Sequence, residues 1–214
     1  MATMAVMNSR QILLSGLFLW IFAVVGTGFV ALTEDSTRDL IAENERQVLL
    51  RNLYALLPQE KFDNDIASDT RQLPASALLG TQSESTVYRA RLNGEPVAAI
   101  FNSIAPNGYS GKIHLLIGIY GDGSLAGVRA VKHSETPGLG DAIEVRKSDW
   151  MLSFNDKSLE NPNLAKWKVK RDGGEFDQFT GATITPRAVV KAVKNCLLYY
   201  QQNADKIFDE HDQQ

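Results

Sequence analysis

The hydrophobic pattern of this chain changes character along its length. From Ile12 to Leu32 the run ILLSGLFLWIFAVVGTGFVAL holds 21 residues without a charge, enough at helical rise to cross a hydrocarbon layer of about 30 Å. A transmembrane helix over 12–32 is expected. A secretory signal has an apolar region of only about 7–15 residues followed by a small-residue cleavage site, and this run fits neither feature. Beyond it, STRDLIAENERQVLLRNLYALLPQ sets Leu40, Ile41, Val48, Leu49, Leu53 and Leu56 at helical spacing until Pro58, which predicts a helical stalk over 33–58.

The segment 61–80 is turn-prone and has no clean period. From Thr86 the period becomes that of strands. TVYRARL meets Asn93-Gly94 and is followed by VAAIFNSI, and KIHLLIGIY meets Asp122-Gly123 and is followed by LAGVRAVKH. Two antiparallel hairpins are the simplest reading. Short helices are expected over 141–145 and 147–152, a strand over 167–171, and a closing helix from Pro186 to about Phe208, with Thr185 as its N-cap. Hairpins segregated from helices predict an α+β fold: an antiparallel-sheet domain over 59–214, preceded by one N-terminal transmembrane helix and the stalk.

Composition narrows the chemistry. The 214 residues carry a net charge of −3 with no basic stripe, so nucleic acid is not an expected partner. The single cysteine, Cys196, excludes a disulfide framework or an iron–sulfur cluster held by this chain alone, and His114, His133 and His211 lack ligand spacing, so no metal site is expected. No Rossmann glycine fingerprint is present, which argues against nicotinamide dinucleotide binding. Arg10 precedes the apolar run, whereas Glu34, Asp35 and Asp39 follow it with only Arg38. This bias places residues 1–11 in the cytoplasm and the bulk of the chain across the bilayer. No charge interrupts the run, so an ion path through this span alone is not expected.

Two loops carry candidate chemistry. DQFTGATITPRAVV, Asp177 to Val190, sets Asp177, Thr180, Gly181, Ala182, Thr183 and Thr185 before an apolar helix. Unpaired N–H groups and the positive end of the helix dipole favour a phosphate there, with the small residues allowing close approach and the threonines supplying hydroxyls. The same residues also serve as an ordinary helix cap and turn. HSETPGLGD, His133 to Asp141, places Glu135, Thr136, Gly138, Leu139 and Gly140 between a strand and a helix start. Glu135 and Thr136 suit the polar edge of a planar ligand and Leu139 its face, with the glycines exposing backbone amides; a plain strand-to-helix turn is the other reading. Tyr109, Ser110, Trp150 and Lys168 are weaker candidates for the same pocket.

Taken together, the two loops resemble the FMN-binding domain of covalently flavinylated membrane electron-transport subunits. The flavinylation motif of that family, Asp-x-x-Ser/Thr-Gly-Ala-Thr-x-Thr/Ser, is matched by Asp177, Thr180, Gly181, Ala182, Thr183 and Thr185. Thr180 stands where serine is more frequent. The resemblance implies covalent FMN, attached by a phosphoester to Thr183. NGYSGKIHLLIGI, DGSLAGVRAVKHSETPGLG and the single apolar run extend the likeness to the G-subunit family of Rnf-type ion-translocating electron-transport complexes. The related C subunits of sodium-pumping NADH:quinone reductases share both loops but are usually longer.

That resemblance implies a bacterial inner-membrane protein with a periplasmic FMN-binding domain over 59–214. It would relay electrons within a complex that links ferredoxin and NAD to sodium or proton movement, and would have no independent active site. Other subunits, the lipid bilayer and a flavin transferase are the partners it implies. A free-standing, membrane-tethered flavin reductase and a non-catalytic scaffold remain alternative readings of the residues.

Overall fold

The computed structural model describes residues 9–209; most of the expected cytoplasmic segment 1–11, and His211, lie outside the described residues. The chain divides into two compact units, Met1–Val48 and Leu49–Gln214. Helix α1 (Ser9–Leu56) takes in both the apolar run and the stalk without a break. It is long and apolar enough to cross a membrane. Where the apolar run ends, the hydroxyls of Thr33, Ser36 and Thr37 donate to the carbonyls of Phe29, Leu32 and Thr33 at 2.8, 2.7 and 2.8 Å, so these polar side chains are satisfied within the helix itself. Leu40, Ile41 and Val48 are exposed, whereas Leu53 and Leu56 are buried. The apolar stripe therefore packs only over its last turns, which belong to the second unit.

Five strands follow, β1 (Thr70–Leu73), β2 (Ser85–Leu92), β3 (Glu95–Ala105), β4 (Ile113–Tyr120) and β5 (Leu125–Lys132), paired antiparallel in chain order. Both expected hairpins are present. Asn93 and Gly94 take φ of 52° and 83°, the paired left-handed conformations that match the twist of the strands they join. In the second turn the Asp122 carboxylate accepts from the Ser124 N–H at 2.9 Å and its hydroxyl at 2.6 Å. Strand β1 lies within the segment that has no sequence period. It is a four-residue edge strand with one buried position, too short and too exposed to alternate visibly.

The sheet is covered on both faces. Along β3, Ala99 and Phe101 join one buried cluster while Ala98 and Ile100 join another, as the period of two requires. The larger cluster includes Ile113, Leu115 and Ile117 of β4 together with Val189, Val193 and Leu197 of the C-terminal helix, α2 (Ile184–Phe208). The smaller holds Leu53, Leu56 and Leu57 against Ile100 and Leu116. Burial on both sides explains why β4 reads as an almost unbroken apolar run.

Of three further expected elements, two are present in a tighter form and one is absent. The short helices after β5 are tight three-residue-per-turn helices, Gly140–Ile143 and Asp149–Phe154. No strand spans 167–171: Leu164–Lys166 and Lys170–Asp172 are single tight turns, and Val169 makes only an isolated bridge to Phe176. The reason is aromatic packing. Phe154 stacks on Phe176 with centroids 4.7 Å apart, Trp167 lies 5.0 Å from Phe176, and the Trp167 indole N–H is shared between the carbonyls of Ser158 and Pro162. The apolar residues here serve a compact cluster and not the alternation of a sheet.

Helix α2 is anchored at its far end by arginines from the sheet. Arg71 donates to the Asp209 carbonyl at 2.9 Å, Arg91 to Phe208 at 3.4 Å and Arg89 to Ile207 at 3.5 Å, satisfying carbonyls that the helix leaves unpaired. Asp69 bridges Arg89 and Arg91 at 2.6 and 3.0 Å. The N-terminus of α2 differs from expectation. Thr183 occupies the cap position without a capping side-chain bond, and Thr185 lies inside the first turn. The hydroxyl of Thr185 is drawn elsewhere, to Glu135.

Candidate functional site

The strand β5 hands the chain to the His133–Gly140 loop, which doubles back on itself. The Thr136 carbonyl accepts from the N–H groups of both Leu139 and Gly140 at 3.1 Å, and Gly138 at φ 76° makes the turn, a conformation that a side chain disfavours. His133 Nδ1 accepts the Glu135 N–H at 3.2 Å while its Nε2 faces Glu144 at 3.4 Å.

Behind the loop is a compact charge network. Lys147 pairs with Asp141 and, at 2.9 Å, with Glu144, and Arg146 also pairs with Glu144. The Lys147 ammonium holds the Asp141 carboxyl below its usual range. Lys147, then Arg146, does the same for Glu144. In return Asp141, then Glu144, raises Lys147. These are charge-assisted hydrogen bonds that favour the ionised forms.

The Asp177–Thr183 loop is propped by other residues. The Trp150 indole N–H donates to the Asp177 carbonyl at 2.8 Å, and its ring meets Phe179 edge-on at 5.0 Å. The Ala182 N–H donates to the Phe179 carbonyl at 3.2 Å, and Gly181 at φ 80° turns the chain toward α2. The Asp177 side chain is exposed and pairs with Lys170 at 2.7 Å. Arg187, in the first turns of α2, pairs through two bonds of 2.6 and 2.7 Å with Asp172, whose carboxyl it holds below the usual range.

Between these loops lies a cleft of about 210 Å³, lined by Tyr109, Glu135, Thr136, Leu139, Gly140 and residues 181–185. The two loops singled out in the sequence, His133–Asp141 and Asp177–Val190, thus share one pocket. Asp177, Thr180 and Gly138 do not line it; they shape or extend the loops that do. Of the weaker candidates, Tyr109 lines the cleft and Ser110 gives its backbone N–H to Glu135 at 3.0 Å. Trp150 acts as the prop described above. Lys168 is exposed and does not reach the cleft.

Ile184 is a lining residue that the sequence pattern does not single out. It is 45% exposed at the cleft, and the signal that could have found it is an isoleucine off the Val189, Val193, Leu197 stripe of α2.

The lining limits what the cleft suits. Tyr109, Leu139 and Ile184 leave apolar surface uncovered, at 66%, 43% and 45% exposure, around the N-terminus of a 25-residue helix. An apolar plane with an anionic end satisfies both features. The three threonine hydroxyls differ in availability. Thr185 is 1% exposed and its hydroxyl is committed to Glu135. Thr180 lies outside the lining, whereas Thr183 lines the cleft at the cap position with no capping bond of its own. The residues present fit FMN.

Comparison with known proteins agrees with this geometry. The profile of the FMN-binding domain matches residues 108–198, and that of the RnfG N-terminal region matches residues 4–56. The chain is 50% identical over 194 residues to the G subunit of the ion-translocating oxidoreductase complex of Pseudoalteromonas atlantica, covering 91% of this chain and 90% of that protein. It is 48% identical over 189 residues to the same-named protein of Vibrio atlanticus, covering 88% and 90% of the two chains. To that of Shewanella amazonensis it is 47% identical over 200 residues, covering 94% and 93%. With this degree of identity sustained over nearly its whole length, the chain belongs to the family of G subunits of ion-translocating oxidoreductase complexes.

Proposed function

We propose that this chain is the flavoprotein subunit of a redox-driven ion translocase and that it carries FMN covalently, as a phosphoester of the Thr183 hydroxyl. The observation that carries the reading is the contrast among the threonines: Thr183 and Thr185 both line the cleft at the N-terminus of α2, but the Thr185 hydroxyl is buried and committed to Glu135, whereas Thr183 makes no capping side-chain bond. When bound, FMN supplies the capacity to accept and release electrons one at a time, which suits a relay between other subunits.

The residues of the chain bind and orient. The first-turn N–H groups of α2 would compensate phosphate charge. Tyr109, Leu139 and Ile184 would cover the ring and exclude water from it, and Thr136 would offer a hydroxyl to its polar edge.

Ester formation needs an activated phosphoryl donor, supplied here by a flavin transferase using a flavin dinucleotide. The Thr183 oxygen forms the bond to phosphorus as the phosphoanhydride bond breaks. Its proton leaves, and the nucleotide monophosphate departs.

Residues 12–32 serve as the anchor in the inner membrane, with the N-terminus cytoplasmic and the flavin domain periplasmic, as the charge bias around the run supports. Electrons pass between ferredoxin and NAD by way of the partner subunits, coupled to ion movement.

The deciding experiment is an intact mass spectrum of the full chain co-expressed with a flavin transferase. The expected result is a gain of one FMN less water, localised by peptide fragmentation to Thr183; an unshifted mass rejects covalent attachment. Topology is checked separately by a reporter that works only outside the cytoplasm, fused after Gln214. Activity there supports the orientation, and activity of a cytoplasm-only reporter at the same junction reverses it.

A further inference from the structure

Glu135 is buried at 4% exposure, and both of its carboxylate oxygens are engaged with the protein itself. One oxygen accepts the Ser110 N–H at 3.0 Å and the other accepts the Thr185 hydroxyl. The three segments that meet at this carboxylate are the turn before β4, the His133–Gly140 loop and the first turn of α2. All three contribute to the cleft.

The backbone is fitted around the group. A Cβ at Gly140 would stand 2.9 Å from the Glu135 carboxylate and 2.9 Å from the Thr185 hydroxyl, and one at Gly108 would stand 2.8 Å from the other carboxylate oxygen. These glycines permit an approach that no side chain would allow. A buried carboxylate is costly unless hydrogen-bonded, so its partners are held wherever it is held.

We propose that Glu135 is a positioning residue: its carboxylate ties Thr185, and through the first turn of α2 the cap residue Thr183, to the opposite wall of the cleft, and so presents the Thr183 hydroxyl for modification. This rests on the reading of Thr183 as the attachment residue. It assigns Glu135 a role through the protein, where the sequence points to a direct contact with the ligand edge. Thr185 becomes the partner of Glu135 and not the cap of α2.

Two readouts on the full chain test it. In the flavin-free protein, Glu135→Ala should speed exchange of the Ser110 amide by about tenfold, as loss of a hydrogen bond to a charged group requires; exchange unchanged from wild type overturns the tether. The second is the initial rate of covalent labelling by a flavin transferase and a flavin dinucleotide. Glu135→Ala and Thr185→Val should each slow it by about tenfold, and the double variant should be no slower than the worse single one, because both remove the same interaction. Independent, multiplying losses overturn the proposal.

Glu135→Gln should keep most of the rate, since an amide can accept from Ser110 and donate to the Thr185 oxygen. If it is as slow as Glu135→Ala, the charge and not the tether is responsible, and the proposal fails. Ile119→Val, a core change in β4 remote from the cleft, should lower the melting temperature yet label at the wild-type rate. If it slows labelling in step with stability, the effect is general and the proposal also fails. Should Glu135→Ala not fold, Thr185→Val carries the test alone, since it removes one hydroxyl and keeps the shape. A wild type that takes no label while Ser110 protection still depends on Glu135 rejects the flavin attachment and leaves the tether standing.

Discussion

The two walls of the cleft are built in opposite ways. The His133–Gly140 loop is backed by buried and half-buried charge: Glu135 and Asp141 are 4% and 5% exposed, and Lys147 ties Asp141 to Glu144. The Asp177–Thr183 loop has its ionic contact at the surface, Asp177 with Lys170, and leans on Trp150, which meets the loop's own Phe179 edge-on and donates to the Asp177 carbonyl. The first wall is arranged to hold a shape. The second is more open, and on the proposed reading of Thr183 that openness is what a modifying enzyme would require.

The largest expected effect separates hydroxyls within the accessible wall. Thr183→Ala should abolish flavin fluorescence of the denatured band, Thr183→Ser should retain part of it, and Thr180→Ala should keep most. Fluorescence that survives Thr183→Ala breaks the distinction drawn between the three threonines. The next contrast sets glycine against glycine. Gly140→Ala, in the rigid wall, drives a methyl into two groups already committed to each other and should cost about 1–3 kcal/mol. Gly181→Ala, in the accessible wall, meets only the tip of Leu139 at 3.3 Å but keeps an unfavourable φ of 80°, and should cost about 1–2 kcal/mol. Chemical denaturation of the flavin-free variants checks the order, and a reversed order would show that the left-handed backbone at Gly181 outweighs the steric fit at Gly140.

The smallest effect concerns pH. Asp141 and Glu144 sit below their ordinary values of 3.8 and 4.5 because Lys147 pairs with them. A depressed carboxyl stabilises the folded state above its unfolded value and loses that contribution as pH falls through its folded value. Lys147, raised above 10.5, behaves in the opposite sense and loses its contribution as pH climbs through that raised value. The gap in melting temperature between wild type and Lys147→Met should therefore stay level across neutral pH and close below the ordinary carboxylate range. A gap that persists at the lowest pH would mean that the lysine acts through its packing and not its charge.

Much of the fold was legible in local sequence. The Asn93-Gly94 and Asp122-Gly123 turns, with alternating residues on either side, predict the hairpins because backbone conformation and register are set by neighbours in the chain. The strand expected over 167–171 failed for the complementary reason. Trp167 and Val169 are apolar and alternate, but their partners are Phe154 and Phe176, and no local rule distinguishes a residue buried in an aromatic cluster from one buried in a sheet. Strand β1 was invisible because an edge strand of four residues owes its existence to β2 and not to its own pattern.

The candidate site divides along the same line. The apolar run, the threonine and glycine order of the Asp177–Thr185 loop and the composition of the facing loop could all be read from the chain alone, since each is a property of contiguous residues. Packing in three dimensions was needed to bring the loops to one cleft, to complete its apolar rim with Ile184, and to turn Thr185 inward to Glu135, 50 residues away. A helix cap and a buried tether use the same hydroxyl in the same local sequence. Which one forms depends on whether packing brings a carboxylate within reach, because a buried acceptor left unpaired costs more than a cap left unmade.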